Sequence, residues 1–242
     1  MPGRLSVLQA GKRRQIPRRR GQALPPRPRG QNDARVLSLR AFQPRLVLAS
    51  ASPRRRELLS GLGLSFEVRV SGVDETPCPG EEPAACVRRL ASEKAETRGG
   101  PDELVLAADT IVVIDGEMLG KPRDPGDARR MLRRIAGRRH EVLTGVALHD
   151  AARGRRAAVV ASSHVEMARM SEEEIAWYVS TGEPLDKAGA YAVQGQGALF
   201  VDAVFGNYTN VVGLPLPATY RLFDELGYAL RDFLRPRLTL RT

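Results

Sequence analysis

Lysine is scarce in this 242-residue chain: four residues, against 34 arginines. Cysteine is scarcer still. Cys78 and Cys86 are too few and too far apart for a disulfide framework or a zinc site. Both read as ordinary core or loop residues, and a reduced, cytoplasmic setting fits them. No apolar run is long enough to span a membrane, which excludes an integral membrane protein of the helical kind. The three histidines, His140, His149 and His164, show neither triad nor metal spacing and read as structural.

Acids are missing from one region only. Residues 1–45 hold 12 of the 38 Lys+Arg and a single acid, Asp33, so they carry +11 of the net +10. Residues 46–242 carry 26 bases and 27 acids and are nearly neutral. The basic segment "GKRRQIPRRRGQALPPRPRGQ" is rich in Arg, Pro and Gly, and it buries too little apolar surface to offset chain entropy. We expect residues 1–45 to be a disordered basic extension and 46–242 to be the folded domain. The extension lacks the apolar core of a secretory signal and the serines of a transit peptide. It reads as a dispensable or misassigned start; the sharper alternative is an arm that grips a phosphate backbone.

From Arg45 onward, strands and helices interleave. "RLVLAS" is a buried strand, after which Ser52 caps a helix with Pro53 at its first position, Leu58, Leu59 and Leu62 as its stripe, and Gly63 as its stop. "FEVRV" alternates like a strand, and Pro83–Thr97 reads as a helix. "ELVLAAD" is a buried strand ending at Asp109, and Asp115-Gly116 within "TIVVIDGEML" signals a hairpin. A helix capped by Asp124 follows, burying Ala128, Met131, Leu132 and Ile135. Then come two strands, "EVLTGVALHD" and "AAVVASSHVEMARM", and a helix with a Ser171/Glu174 capping box. Two Gly-rich segments precede a last helix, "LPATYRLFDELG". This order predicts an α/β fold, a mixed β-sheet with flanking helices.

Three lysines survive in the folded part: Lys94, Lys121 and Lys187, each beside a turn or loop signal. Where either cation serves, this chain uses arginine. A retained lysine therefore marks a place for a compact point charge, as phosphate holding requires. Lys187 has a second reading, an ion pair with its neighbour Asp186. The stretch "ASASPRRRELL" puts Arg54, Arg55 and Arg56 in the first turn of a helix, where the dipole opposes cations. An anion held by the free N–H groups, the serines and the arginines would reverse that sign. We take Arg54 and Arg55 for such a site and Arg56 for a solvated face. "GEMLGKP" has the wrong spacing for a P-loop, and "GQGALFVDAVFG" does not fit a dinucleotide fingerprint.

Asp109 closes an apolar strand. It is either a turn former or a carboxylate at the strand end where α/β proteins place ligands, able to bind Mg²⁺ or activate water. Asp74 and Glu75 in "GVDET" are second candidates, with a solvated loop as the alternative.

"LASASPRRRELL", "VDET", "RLASEKA", "LAADTIVVIDGEMLGKP", "EPLDKAGAYAVQGQG" and "NYTNVVGLP" together resemble the Maf family of nucleoside triphosphate pyrophosphatases, from about Leu46 to about Gly227. The resemblance implies hydrolysis of a nucleoside triphosphate to monophosphate and pyrophosphate, with a divalent metal (Mg or Mn), in an α/β fold with a deep cleft, often as a homodimer. It puts the catalytic acid on Asp109 and the specificity positions on Arg54, Thr110 and Gln194. With the readings above, Ser50, Ser52, Arg55, Lys94, Lys121 and Lys187 are the phosphate holders, and Asp109 and Glu75 the metal ligands. "ADT" and "DKAGAYAVQG" resemble the branch that takes dTTP and UTP. Gln194 would pair with the uracil or thymine edge, its flanking glycines letting a flat base approach; otherwise it satisfies a turn. The rival is a nucleic-acid-binding or cell-division regulatory protein that uses the basic tail. The near-neutral folded part argues against it, and deletion of residues 1–45 separates the two.

Overall fold

The structure, a computed structural model, describes residues 43–97 and 99–234. The contacts divide the chain into Met1–Ala41 and Phe42–Thr242, and the described residues all belong to the second unit. The expectation of a disordered extension lies outside them, apart from its last three residues.

Among the described residues seven strands, numbered β1 to β7 along the chain, form one sheet in the order β2-β1-β3-β5-β6-β7, with β4 sharing an edge of β3. Strand β1 (Arg45–Leu48) lies parallel to β2 (Glu67–Val68) and to β3 (Glu103–Ile114). The remaining pairings are antiparallel: β3 with β4 (Glu117–Leu119) and β5 (Arg139–Asp150), β5 with β6 (Arg155–Met167), and β6 with β7 (Val201–Phe205). The sheet is mixed, as the interleaved pattern predicted.

Two expectations about strands change. Strand β2 is two residues long, not five, because its one partner β1 ends at Leu48; Val70 beyond it is exposed. The strand expected to end at Asp109 continues unbroken to Ile114, and the Asp115-Gly116 turn follows it. Pairing with β5 runs from Leu104↔Asp150 to Val113↔Glu141. Both faces of β3 are covered, so it reads as a continuous apolar run rather than an alternation. Period 2 sorts its side chains. Leu104, Leu106 and Ala108 join a cluster with Leu59, Leu222 and Phe223, and Val105 and Ala107 face Ala91 and Ala95 on the other side. Asp109 therefore points to the second face and Thr110 to the first.

The helices begin where the caps predicted. Ser52 caps α1 (Pro53–Gly61), Asp124 caps α3 (Pro125–Ile135), and the Ser171/Glu174 box opens α4 (Glu172–Ser180). Helix α2 (Pro83–Glu96) packs directly on β3 and β5, burying Cys86, Val87, Leu90, Ala91, Lys94 and Ala95. Its close seat depends on Gly145, the β5 partner of Asp109, since a Cβ there would strike the Val87 carbonyl. The two Gly-rich segments hold more structure than expected: 3₁₀ turns at Glu183–Asp186, Ala188–Ala190 and Gly195–Phe200, then β7 and α5 (Tyr208–Val212). Helix α6 (Leu216–Glu225) closes the fold against the first face. Among the described residues, no helix is long and apolar enough to cross a membrane.

Candidate active site

One edge of β3 changes partner along its length. It pairs with β1 through Leu106 and with β4 from Val112. Residues 107–111 lie between the two, beyond the carboxyl end of β1, where the chain turns into α1. A cavity of about 740 Å³ opens at this gap. The site thus sits at a carboxyl strand end, as expected of α/β proteins, but the strand that ends is β1; Asp109 is in the middle of β3.

Asp109 is buried and it has a partner, so it is not the turn former weighed above. Lys94, itself buried on α2, places Nζ 2.5 Å from Asp109 Oδ1 and 2.7 Å from Glu75 Oε1. A charge this deep persists because it is compensated and hydrogen-bonded, so β3 need not leave the sheet to solvate it. Glu75 reaches in from the loop before α2, with Lys121 Nζ 3.7 Å from its other oxygen. Burial pushes the Glu75 pKa up, but Lys94, then Lys121 and Arg55, outweigh it and hold the group below the ordinary carboxylate range. Asp74, the other acid of that loop, bonds Thr76.

The opposite face of β3 is occupied differently. Arg55 donates from Nε to the Gly213 carbonyl (2.8 Å), from Nη1 to the Ala108 carbonyl (2.7 Å) and Ser50 Oγ (3.1 Å), and from Nη2 to Thr110 Oγ1 (3.1 Å). Burial holds its pKa below the usual guanidinium value. Expected as an anion clamp, Arg55 meets protein acceptors with four of its five N–H groups and fills the unpaired edge of β3. Thr110 Oγ1 continues the chain to Thr144 Oγ1 (3.0 Å), which donates to the Asn210 carbonyl (3.1 Å). Ser50 Oγ also accepts from the Ser52 N–H, and Ser52 Oγ from the Arg55 N–H. Arg56 is exposed, as expected.

Arg54 turns the other way, its Nη1 3.1 Å from Asp186 Oδ2. Lys187 Nζ lies 2.6 Å from Asp186 Oδ1 and 2.7 Å from the Glu183 carbonyl, which is the ion pair weighed against phosphate holding. Gln194 is exposed on the cavity lining. The segment before it belongs to no strand of the sheet. Cys86 also lines the cavity; burial, then Glu81, pushes its thiol up to about 11, so it is no thiolate nucleophile at neutral pH. None of the three histidines lines the cavity among the described residues.

All the candidate residues thus gather at one cavity, but in two groups. Asp109, Glu75, Lys94 and Lys121 form the charged group, and Ser50, Ser52, Arg55 and Thr110 the hydrogen-bonded one. Arg54, Lys187 and Gln194 stand on the rim. Sequence reasoning missed Thr144, Gly145, Asn210, Tyr178 and Glu183. Only Glu183 carried a local signal, an acid at the head of "EPLDKAG" with no assigned role.

Among the described residues no group of three His, Cys, Asp or Glu side chains could hold a metal on its own. The two carboxylates that converge on Lys94 still fit a hard cation. Each leaves an oxygen not bonded to that lysine, and Mg²⁺ commonly takes one or two carboxylates and completes its shell from water and substrate phosphates.

The Maf-like protein family model matches residues 45–226. A dTTP/UTP pyrophosphatase of Anaeromyxobacter dehalogenans is 57% identical over 189 residues, covering 77% of this chain and 96% of that protein. Proteins of the same name from Syntrophus aciditrophicus and Myxococcus xanthus are 54% and 50% identical, covering 76% and 79% of this chain and 90% and 97% of theirs. The match begins at β1 and ends just past α6, so it takes in every element that builds the cleft, and the chain belongs to the Maf family.

Proposed function

We propose that this protein hydrolyses nucleoside triphosphates, dTTP and UTP foremost, to the monophosphate and pyrophosphate. The observation that carries the reading is the buried Asp109, held by Lys94 at the one gap in the edge of β3 and opening on a cavity. The name the relatives carry, dTTP/UTP pyrophosphatase, supports the substrate class. A water oxygen bonds to the α-phosphorus while the bond from that phosphorus to the bridging oxygen breaks, and the electron pair leaves on pyrophosphate. Asp109 takes the water's proton on Oδ2, the oxygen Lys94 does not hold. Lys94 and Lys121 offset the charge that builds on the leaving group. Glu75, through the oxygen Lys94 leaves free, would hold a divalent cation together with substrate phosphate oxygens, and that ion would supply charge neutralisation. Arg55 and Thr110 brace the unpaired edge of β3 beside the cavity.

Gln194 reads the base with one acceptor and two donors. The homodimer and the cytoplasmic setting belong to the same reading; support comes from the family resemblance for the first and two free cysteines for the second. A screen of purified protein across nucleoside triphosphates, reading pyrophosphate release with Mg²⁺ or Mn²⁺ present, tests the whole. dTTP and UTP should lead, and Gln194→Ala should narrow that lead. Preference for purines or for 7-methyl-GTP would overturn the subtype.

A further inference from the structure

Gln194 sits on the cavity rim in a segment that no sheet holds, yet its backbone is tied down on both sides by two side chains. The Glu183 carboxylate accepts from Tyr178 Oη (2.8 Å), the Gly197 N–H (2.9 Å) and the Gln196 N–H (3.0 Å). Tyr178 Oη in turn accepts from the Ala192 N–H (3.1 Å). The anchored N–H groups thus belong to the residue two before Gln194 and to those two and three after it. Charge-assisted bonds of this kind are short and strong. Burial pushes the Glu183 pKa up, but the Gly197 and Gln196 N–H groups and the Tyr178 hydroxyl outweigh it and keep the group charged.

The glycines of "VQGQG" fit the same device. Gly195 has φ +69, and a Cβ there would strike Glu183 Oε2. A Cβ on Gly197 would strike Tyr178 Oη and the Ala192 carbonyl. These glycines make room for a carboxylate and a hydroxyl inside the protein, not for a base approaching from the cleft. The turn that Glu183 opens also carries Asp186, the partner of Arg54, while Lys187 bonds the Glu183 carbonyl. Both rim residues expected to set specificity therefore hang from one short segment.

We propose that Glu183 is a positioning residue for nucleobase selection: by fixing residues 192–197 it presents the Gln194 side chain to the base. The proposal rests on the reading of the cleft as a nucleotide site. A role in folding alone would lower stability and affect every nucleotide equally. A positioning role changes the ratio between nucleotides.

The test compares Glu183→Gln with wild type, measuring kcat and KM across a panel of nucleoside triphosphates and the melting temperature. The variant keeps the side chain's shape but turns an amide NH₂ toward backbone N–H donors. We expect kcat/KM for the preferred nucleotide to fall about tenfold, through KM, with kcat within about threefold. The ratio of best to worst nucleotide should fall by a similar factor. Tyr178→Phe, which removes only the hydroxyl, should move the ratio the same way and less. If Glu183→Gln does not fold, Tyr178→Phe decides on the same ratio. An unchanged ratio in a folded variant overturns the proposal, as does an equal loss for all nucleotides. If wild type prefers bases other than thymine and uracil, the substrate assignment falls, and Glu183 is judged on the preference found. If no nucleotide is turned over, the ratio of dissociation constants replaces it. A wild type that discriminates nothing overturns the proposal.

Discussion

The two faces of β3 at Asp109 and Thr110 are adjacent in sequence and opposite in character. On one, three charges converge, Asp109, Lys94 and Glu75, with carboxylate oxygens to spare. On the other, Arg55, Thr110, Thr144 and Asn210 form a run in which donors meet protein acceptors. A buried network of hydrogen bonds gives rigidity and shape, whereas spare lone pairs beside a buried cation give reactivity. In the proposed mechanism one strand thus separates the chemistry from its scaffold by the step of a single residue. Breaking the first face should cost rate, and breaking the second should cost stability.

The largest effect expected is that of Asp109→Asn. The kcat should fall by about 10²–10⁴, while Lys94 keeps Glu75 and the protein stays folded by circular dichroism. Near-normal turnover would move the base to Glu75.

Next is Asn210→Ala on the hydrogen-bonded face. Asn210 is fully buried and donates to the Val142 carbonyl and Ser163 Oγ. Its loss should cost about 2–3 kcal/mol in a denaturant titration, with kcat of the folded fraction nearly unchanged. A large kcat effect would erase the division between the faces.

A pH profile sharpens the charged face. In Lys94→Met, burial of Glu75 acts against fewer opposing cations, so its pKa rises toward or past the ordinary value. Wild-type Glu75 stays ionised to lower pH, so the acid limb of kcat/KM should move to higher pH in the variant. A limb that stays in place would remove Glu75 from the active assembly.

Lys121→Arg should be smaller. Lys121 is 60% exposed, 3.7 Å from Glu75. A contact of that kind is worth up to about 1 kcal/mol, so KM should rise by up to about fivefold. Wild-type behaviour would mean that any cation serves there. Smallest of all, removal of residues 1–41 should leave hydrolysis unchanged, since the family match starts at residue 45. Lost activity would revive the nucleic-acid reading.

Much of this was legible because the signals were local. Ser52, Asp124 and Ser171 announced their helices within four residues, and Asp115-Gly116 its hairpin. Asp109, Lys94 and Lys121 stood out by residue type against an apolar strand and an arginine-rich background. What stayed hidden depended on partners far along the chain. Asp109 seemed to end a strand because Lys94's position beside it is a matter of packing. Arg55 looked like an anion holder because Ala108 and Gly213 are 53 and 158 residues away. The glycines of "VQGQG" suggested an open approach because the Glu183 carboxylate that fills the space comes from the preceding turn.

The bond from Arg55 to Gly213 also bears on the order of assembly. Chains are made from the N-terminus, and contacts between distant segments wait for the later one. Asp109, Lys94 and Lys121 leave the ribosome long before Gly213 does. Arg55 gains the acceptor for its Nε–H only when that carbonyl arrives, so a chain whose translation stops short of it carries every charged residue of the cleft while the arginine beside them is not yet fully held.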